Sequence, residues 1–445
     1  MILRWLAGTA LRWYYRDITV IGRERIPRTG PLLLATNHPN ALVDALVAVS
    51  ESPRRLTLTA KATLFRNPLA ALLFRAVGMV PLRRAKDEPG QTDAGRNEES
   101  FRALLDVLAA GGAILIFPEG ISHGAPSLAP LKTGTARLAM SARETRGVRG
   151  LTIVPFGLTF ERKDQPRTRV VALVGEPLSV DAWTDTSAHA LTDEIDRRLR
   201  AVTLNAERET DIARVLSVAR MLAAAGIDDA RPLDDADPAL ADELALAWRV
   251  DAVRRALPAA DPAVAARVEL FERRADALAA TIASHRLAAG DLTVDPSVGS
   301  GAWFVVREAS IAVAAGPLAL WGRLNHWLPV TLARAAARRS SHGAEDPATA
   351  TIVAGLALVS AAYAVQTAVV WTLAGPIWAA LYLVTLPLSA AWGFRFGDRV
   401  SRGLARARTY LAYRRSPALR AALLADAAWL RDEAVSLETV VRPPH

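Results

Sequence analysis

The sequence contains no cysteine among its 445 residues. Disulfide bonds, thiolate nucleophiles, covalent cysteine intermediates and cysteine-ligated zinc are therefore all excluded. Any chemistry that the chain performs must use oxygen and nitrogen side chains. The length is ample for a hydrophobic core, and at about 150 residues per domain it predicts two or three structural units.

Lysine is also scarce, and the net charge of +9 is carried almost wholly by arginine. A basic excess in a chain that is 51% hydrophobic fits anionic lipid headgroups or phosphorylated substrates. We do not expect nucleic acid as a partner, because the sequence lacks zinc-finger spacing, an aromatic ribonucleoprotein-type strand and an isolated basic arm. The lysines are Lys61, Lys86, Lys132 and Lys163.

Charge is absent from one long stretch, Ala348 to Phe394. A hydrocarbon core of ~30 Å needs ~20 helical residues, so this run is long enough for two crossings joined near residues 374–376. It predicts a C-terminal membrane-embedded helical hairpin, with basic flanks at 334–339 and 395–408 that place both ends in the cytoplasm. A hairpin that enters and leaves one leaflet is the alternative, because the uncharged turn has nothing to hold it in water.

The rest of the chain divides by composition. An amphipathic helix rich in aromatics and arginine comes first and is expected in a membrane interface. Short apolar runs then alternate with helical stretches, which is typical of an α/β domain. The predicted segments are 1–17 (interfacial helix), 18–187 (α/β domain), 188–300 (helical region), 301–345 (interfacial or linker helices), 348–394 (membrane hairpin) and 395–445 (basic cytoplasmic helical tail).

Strands and helices of the α/β domain can be placed from the apolar periodicity. The predicted strands are 31–36, 55–60, 113–117, 152–158 and 169–175. The predicted helices are 40–50, 62–76, 97–110 and 133–146.

The stretch "NHPNALVD" (37–44) follows the first of these strands and contains a histidine and an aspartate six positions apart. Six positions on one α-helix are a rotation of about 240°, which would put His38 and Asp44 on different faces. A contact between them therefore needs a bend. Asn40 is a good N-cap residue, so a helix that begins there leaves His38 outside it and Asp44 one turn in.

Three further patterns follow in order: "GMVPLRR" (78–84), "FPEGISHGAPSLAPLKTG" (117–134) and "IVPFGL" (153–158). With "NHPNALVD" they resemble the four sequence blocks of the glycerolipid acyltransferase family, which acylates glycerol 3-phosphate, lysophosphatidate and related lysolipids. The details resemble the branch of fungal glycerol-3-phosphate and dihydroxyacetone-phosphate acyltransferases and bacterial 1-acylglycerol-3-phosphate acyltransferases. The departure from the commoner "FPEGTRS" at residues 121–123 leaves the acceptor undefined.

The resemblance covers about residues 31–160 and implies an acyltransferase-type mixed sheet flanked by helices. It implies transfer of a fatty acyl group from acyl-CoA or acyl-carrier protein to a hydroxyl of a glycerol phosphate or lysophospholipid. The thioester is a co-substrate, and neither a cofactor, a metal nor a covalent acyl-enzyme is implied. Membrane lipids are the expected surroundings, and we expect a bacterial inner membrane with the active site facing the cytoplasm.

The reaction needs a base for the hydroxyl proton, donors for the oxyanion and cations for phosphorylated partners. His38 is the candidate base because histidine titrates near neutral pH, and Asp44 would orient its ring and stabilise the imidazolium. The alternative roles are structural: a hydrogen-bonded turn for His38 and a helix first-turn carboxylate for Asp44.

Substrate-binding roles follow from the resemblance. Asn37 belongs to the first block and is expected beside the substrate. Arg84 matches the family's phosphate-binding arginine in the second block, where a guanidinium can grip phosphate through two hydrogen bonds. Arg83 and Lys86 are the competing cations.

The third and fourth blocks supply the remaining candidates. By resemblance Glu119 helps position the acceptor, and Gly120 allows its backbone a close approach. Lys132 precedes a helix whose N-terminus can accept an anion, with a surface cap as its alternative role. Val154 and Pro155 are expected to shape the acyl-thioester side of the cleft.

Two other functions compete with acyl transfer. "GISHG" (120–124) fits the G-x-S-x-G pattern of serine hydrolases with Ser122 as nucleophile, but the flanking prolines oppose the required strand-to-helix turn. "KTG" (132–134) occurs in penicillin-binding enzymes, but no lysine here has the serine three positions earlier that they need. A catalytically silent lipid-binding membrane scaffold of the same fold is the third possibility.

Overall fold

The computed structural model describes residues 2–61, 79–82, 94–125, 127–163, 165–205, 209–225, 246–247, 250, 261–340 and 347–441. The chain forms two compact units. The first contains residues 1–207 and 337–353, and the second contains residues 208–336 and 354–445.

A mixed β-sheet is the centre of the first unit. The strands are β1 (Asp17–Ile21), β2 (Leu32–Thr36), β3 (Thr59–Lys61), β4 (Val80–Leu82), β5 (Ala113–Ile116), β6 (Thr152–Phe160), β7 (Arg169–Val174) and β8 (Leu178–Ser179), with β3 and β4 paired in a separate ribbon. The strand order of the sheet is β1-β7-β6-β2-β5, and β8 pairs with β6 at one end. Strand β2 lies between β5 and β6 and is parallel to both, whereas β6 and β7 are antiparallel.

Helices cover both faces of this sheet, which confirms the predicted mixed sheet flanked by helices. Successive residues of a strand point to opposite faces, and β2 shows this directly. The helices are α1 (Ile2–Tyr14), α2 (Ala41–Glu51), α3 (Ala94–Ala109), α4 (Gly134–Thr145) and α5 (Ala188–Ala201). Leu32 and Leu34 pack with the core around α1 and α2, whereas Leu33 and Ala35 pack with the core around α3, α4 and α5.

Several local predictions differ from the structure. The strand expected at 55–60 is shortened to β3, because Thr57 makes only an isolated bridge to Ile114. Strands β1, β4 and β8 were not expected, since their runs are short and their apolar alternation is weak. The helix expected at 62–76 lies outside the described residues.

The N-terminal helix, whose interfacial role stays a prediction, packs on the domain core along part of its length. Its Ala7, Leu11 and Tyr14 are buried, and α1 packs against α2 in the domain core. The apolar stripe that an interfacial helix would turn toward lipid is therefore already covered by protein along this part of the helix. Arg12 faces solvent on the opposite side.

Helices form the described part of the second unit. The helices are α6 (Glu209–Ala225), α7 (Pro262–Ser284), α8 (Val298–Ser340), α9 (Pro347–Ala374), α10 (Pro376–Arg415) and α11 (Pro417–Val441), with α9 beginning in the first unit. A hydrophobic core joins α6, α7, α11 and the C-terminal part of α10.

Three helices are long and apolar enough to cross a membrane, namely α8, α9 and α10. The predicted hairpin corresponds to α9 and the first half of α10, joined at Gly375, which adopts a φ of 88°. The predicted linker helices at 301–345 are instead one continuous helix, α8. Arg323 and His326 interrupt the apolar sequence of α8, but its helical backbone continues through both, and it also accommodates the prolines at 317 and 329.

Both ring nitrogens of His326 form hydrogen bonds inside the second unit. Its Nδ1 donates to the carbonyl oxygen of Gly322 (2.7 Å), and its Nε2 accepts the Tyr363 hydroxyl (2.6 Å). On the neighbouring residue, Asn325 Oδ1 accepts the hydroxyl of Tyr382 (2.5 Å). The three apolar helices are thus joined by polar contacts, which is how polar side chains are tolerated in a membrane-embedded helix.

The start of α8 lies beside the end of α10. The Tyr410 hydroxyl donates to the carbonyl oxygen of Ser297 (3.2 Å), and the buried side chains of Asp291 and Arg406 form an ion pair (3.0 Å). An even number of crossings between these two segments accommodates their adjacency, and the two crossings of the predicted hairpin fit it.

Candidate active site

The candidate site lies where three parallel strands end. Strand β2 pairs with β5 and with β6 in parallel register, so the carboxyl ends of all three meet at one edge of the sheet. The His38 turn follows β2, Glu119 follows β5, and the turn that begins at Glu161 follows β6. Sites in open α/β sheets gather at this edge because the loops that leave it converge there.

His38 and Asp44 are in contact. His38 Nδ1 lies 2.9 Å from Asp44 Oδ2, and the Asp44 side chain is fully buried. The bend that their spacing required is present, because α2 begins at Ala41 with Asp44 in its first turn. A carboxylate on Nδ1 keeps the proton on that nitrogen and leaves Nε2 as the basic nitrogen.

The start of α2 is capped differently from the prediction. Asn40 occupies the N-cap position, but its side chain makes no capping hydrogen bond. Its Nδ2 instead donates to the Tyr15 hydroxyl (2.9 Å). Asp44 Oδ2 accepts the Asn40 backbone N–H (2.7 Å), and Ser122 Oγ accepts the Ala41 backbone N–H (3.1 Å). Asp44 therefore orients His38 and stabilises the helix start together.

Glu119 is 1% exposed, and its hydrogen bonds all go to protein groups. Its Oε1 accepts the backbone N–H of His38 (2.8 Å), and its Oε2 accepts the backbone N–H of Ala129 (2.8 Å). The same Oε2 is in close contact with His123 Nε2. In the structure this carboxylate organises the loop and the His38 turn, and its role in positioning the acceptor stays a prediction.

The loop after β5 is fastened to the His38 turn along its length. Beyond the Glu119 contact, the His123 backbone N–H donates to the His38 carbonyl oxygen (3.3 Å). The His38 ring stacks on Phe117 with centroids 3.7 Å apart. His123 Nδ1 accepts the backbone N–H of Ala125 (3.2 Å), so its Nε2 carries the proton toward Glu119. The unusual "ISH" segment thus fixes the backbone around His38.

Gly120 and Lys132 are brought together by the same loop. Gly120 has a φ of 70°, a conformation that favours glycine. A Cβ on it would lie 2.9 Å from Lys132 Cδ, so the glycine makes room for this lysine, and the close approach of its backbone to a substrate stays a prediction. The Lys132 backbone N–H donates to the carbonyl oxygen of Pro118 (2.9 Å).

Asn37 braces two strands of the sheet, and its substrate-binding role stays a prediction. Its Nδ2 donates to the Leu158 carbonyl oxygen (2.9 Å), and its Oδ1 accepts the Leu158 N–H (2.7 Å). These two bonds tie the end of β2 to β6. In the fourth block, Val154 is fully buried in the core. Arg84, together with its competitors Arg83 and Lys86, lies outside the described residues, so its phosphate-binding role stays a prediction.

Ser122 does not have the surroundings of a hydrolase nucleophile. Such a serine needs a strand directly before it and a helix directly after it. Here Pro118 and Glu119 separate it from β5, and α4 begins only at Gly134. Its Oγ caps α2, and the neighbouring His123 ring is engaged by Glu119 and Ala125.

Three contributors to this edge were missed from the sequence as site residues, namely Phe117, His123 and Lys163, and Ser122 was considered only as a hydrolase nucleophile. The departure from the common third-block pattern was a signal for Ser122 and His123, although not for what they contact. Stacking by Phe117 and the approach of Lys163 depend on tertiary contacts that no local spacing encodes.

Comparisons with known proteins agree with the motif blocks. A family model described as Acyltransferase matches residues 17–159. An uncharacterised acyltransferase of Schizosaccharomyces pombe is 25% identical over 258 residues, which cover 40% of this chain and 38% of that one. Glycerol-3-phosphate O-acyltransferase 2 of Saccharomyces cerevisiae is 40% identical over 85 residues, covering 19% of this chain and 11% of that one.

A mouse protein, 1-acyl-sn-glycerol-3-phosphate acyltransferase alpha, is 25% identical over 47% of this chain and 71% of its own length. Among solved structures, the 1-acyl-sn-glycerophosphate acyltransferase PlsC from Thermotoga maritima is 19% identical with a TM-score of 0.36, over 45% of this chain and 77% of that one. The chain spans well under half the length of the two yeast relatives. The expectation of a bacterial inner membrane is not supported, because these curated relatives are eukaryotic.

Proposed function

We propose that the chain transfers a fatty acyl group from a thioester to the hydroxyl of a phosphorylated glycerol or lysolipid, in line with the Acyltransferase family model that matches residues 17–159. The single observation that carries this proposal is the His38–Asp44 pair, with 2.9 Å between Nδ1 and Oδ2, at the carboxyl ends of the parallel strands. A buried carboxylate on one ring nitrogen prepares the other to accept a proton.

The proposed reaction is direct transfer. His38 Nε2 takes the proton of the acceptor hydroxyl while the oxygen attacks the thioester carbonyl carbon. The tetrahedral intermediate collapses with cleavage of the carbon–sulfur bond, and the departing thiolate takes the proton from the imidazolium. The products are an ester and a free thiol, and His38 returns to its neutral form. Asp44 stabilises the imidazolium while it exists.

Glu119 and the residues around it hold the base in place. The His38 backbone is bonded on its N–H by Glu119 Oε1 and on its carbonyl by the His123 N–H. A general base must be held within a fraction of an ångström of its working position. These two bonds, with the Phe117 stack, supply that rigidity without using substrate contacts.

The acceptor is proposed to be glycerol 3-phosphate or 1-acylglycerol 3-phosphate, because the relatives carry both kinds of name. Acyl-CoA or acyl-carrier protein is the proposed donor. The long apolar helices would hold the enzyme in a membrane where a single-chain lipid can reach the site, and the basic segments 334–339 and 395–408 favour the cytoplasmic leaflet.

A purified-enzyme panel tests this function. Acyl-CoA is supplied with glycerol 3-phosphate, dihydroxyacetone phosphate, lysophosphatidate or monoacylglycerol, and ester formation is followed by mass spectrometry. We expect transfer to at least one phosphorylated acceptor and poor transfer to monoacylglycerol. A catalytically silent scaffold would give no ester with any acceptor, and a hydrolase would release free fatty acid instead.

A further inference from the structure

A phosphorylated acceptor needs cations close to His38. In this chain Ser122 stands where the commoner third-block pattern, "FPEGTRS", has its arginine. That loop therefore supplies no arginine side chain of its own between residues 117 and 125. A cation for an anionic substrate at this position must come from another part of the fold.

Lys163 reaches the site from the turn after β6. Since β6 is parallel to β2, this turn leaves the sheet at the same edge as the His38 turn. The Lys163 carbonyl oxygen accepts the Asn40 Nδ2–H and the Tyr15 hydroxyl, both at 3.3 Å. Asn40 is two residues from His38, so the Lys163 backbone is tied directly to the turn that carries the candidate base.

The Lys163 side chain lies along the loop after β5. Its Nζ donates to the Gly124 carbonyl oxygen (2.9 Å), and a Cβ on Gly124 would lie 3.1 Å from Nζ. At the other end of the same loop, the Lys132 Nζ lies 3.1 Å from the position of a Cβ on Gly120. Two of the four lysines in the sequence thus lie next to Gly120 and Gly124, the glycines on either side of "ISH" (121–123).

The charge of Lys163 is available to a ligand. An ammonium has three donors, and the Gly124 carbonyl uses one of them. Glu161, the carboxylate two positions earlier, forms an ion pair with Arg169 (3.2 Å). Glu119 is buried among the protein contacts described above. A dianionic phosphate would gain charge-assisted hydrogen bonds from the remaining ammonium donors.

We propose that Lys163, together with Lys132, binds the phosphate of the acyl acceptor. This inference rests on the proposed function and adds a residue that lies outside the four motif blocks. Lys163 takes no part in the proton transfer. Its effect is therefore confined to binding of the phosphorylated substrate.

Kinetics of the full-length protein with Lys163→Met, which removes the charge and keeps the length, test the proposal. We expect the KM for glycerol 3-phosphate or lysophosphatidate to rise by about 10- to 100-fold, as for the loss of a charge-assisted hydrogen bond. The kcat and the KM for acyl-CoA should stay near wild type. Lys163→Arg should restore most of the affinity. Arg162→Met is the matched control, because its guanidinium is engaged by Gln165 (3.1 Å) in the same turn.

An unchanged acceptor KM in Lys163→Met would overturn the proposal. So would a rise confined to acyl-CoA, or a fall in kcat alone, which would make Lys163 a brace for the loop. Calorimetric binding of glycerol 3-phosphate to the same two proteins separates this failure from that of the proposed function. If wild type forms no ester, the function is wrong, yet a loss of calorimetric binding in Lys163→Met still supports the phosphate site.

Discussion

At the scale of single residues, the contact between His38 and Asp44 was predictable in outline. The helical rotation between them demanded a bend, and a bend is what the start of α2 provides. The capping was not predictable, because Asn40 turns its amide toward Tyr15 and leaves the cap to Asp44 and Ser122. Sequence preference for an N-cap residue type does not reveal a better partner brought by the fold.

Asp44→Asn tests whether Asp44 orients the His38 ring for proton transfer. An asparagine side chain cannot hold the His38 tautomer and also accept the Asn40 N–H with the same strength. We expect kcat to fall by about 10²- to 10⁴-fold with acceptor KM little changed. Steady-state kinetics of the purified variant measure this, with thermal unfolding as the control for the helix start. A kcat near wild type would remove Asp44 from the mechanism.

Ser122→Ala distinguishes a cap from a nucleophile. The Ala41 N–H would lose its side-chain acceptor, which should lower the free energy of unfolding by about 1 kcal/mol. Acyl transfer should persist at a reduced rate because Ser122 touches no reacting atom in the proposed mechanism. Denaturant unfolding and initial rates test both statements. Complete loss of activity in a stably folded variant would favour the hydrolase function.

At the scale of elements, strands were easier to predict than the loops that position the site. The buried strands β2, β5 and β6 appear close to their expected bounds, because continuous apolar runs between polar turns are a strong local signal. The packing of α1 on α2 was not predicted, since an amphipathic stripe looks the same whether lipid or α2 covers it. In α8, Arg323 and His326 look like interruptions in sequence but not in the continuous helix.

The adjacency of α8 and α10 gives a topological prediction. Single cysteines at Ser297 and Arg415, both at exposed positions, should be labelled from the same side of sealed vesicles. The absence of native cysteine means that no other residue reacts. Thr372→Cys, near the turn between α9 and α10, should be labelled from the opposite side if the hairpin crosses. Labels on opposite sides at Ser297 and Arg415 would contradict the even number of crossings.

At the scale of the whole molecule, the chemistry is concentrated in a minority of the chain. The family model ends at residue 159, and the candidate site lies in the first unit. Motif spacing could predict this domain because the segments of its first and third blocks meet at one sheet edge. The second unit has no comparable motifs, so its composition predicted apolar helices but not their polar contacts or the packing of α6, α7 and α11.

Thiol release by wild type and His38→Ala tests the central claim most directly. The purified proteins are given acyl-CoA with each phosphorylated acceptor, and free CoA is measured with a thiol reagent, to which the cysteine-free chain contributes nothing. We predict acceptor-dependent thiol release by wild type and a loss of about 10²- to 10⁴-fold in His38→Ala. Equal release by both proteins, or none by wild type with any acceptor, would contradict the account.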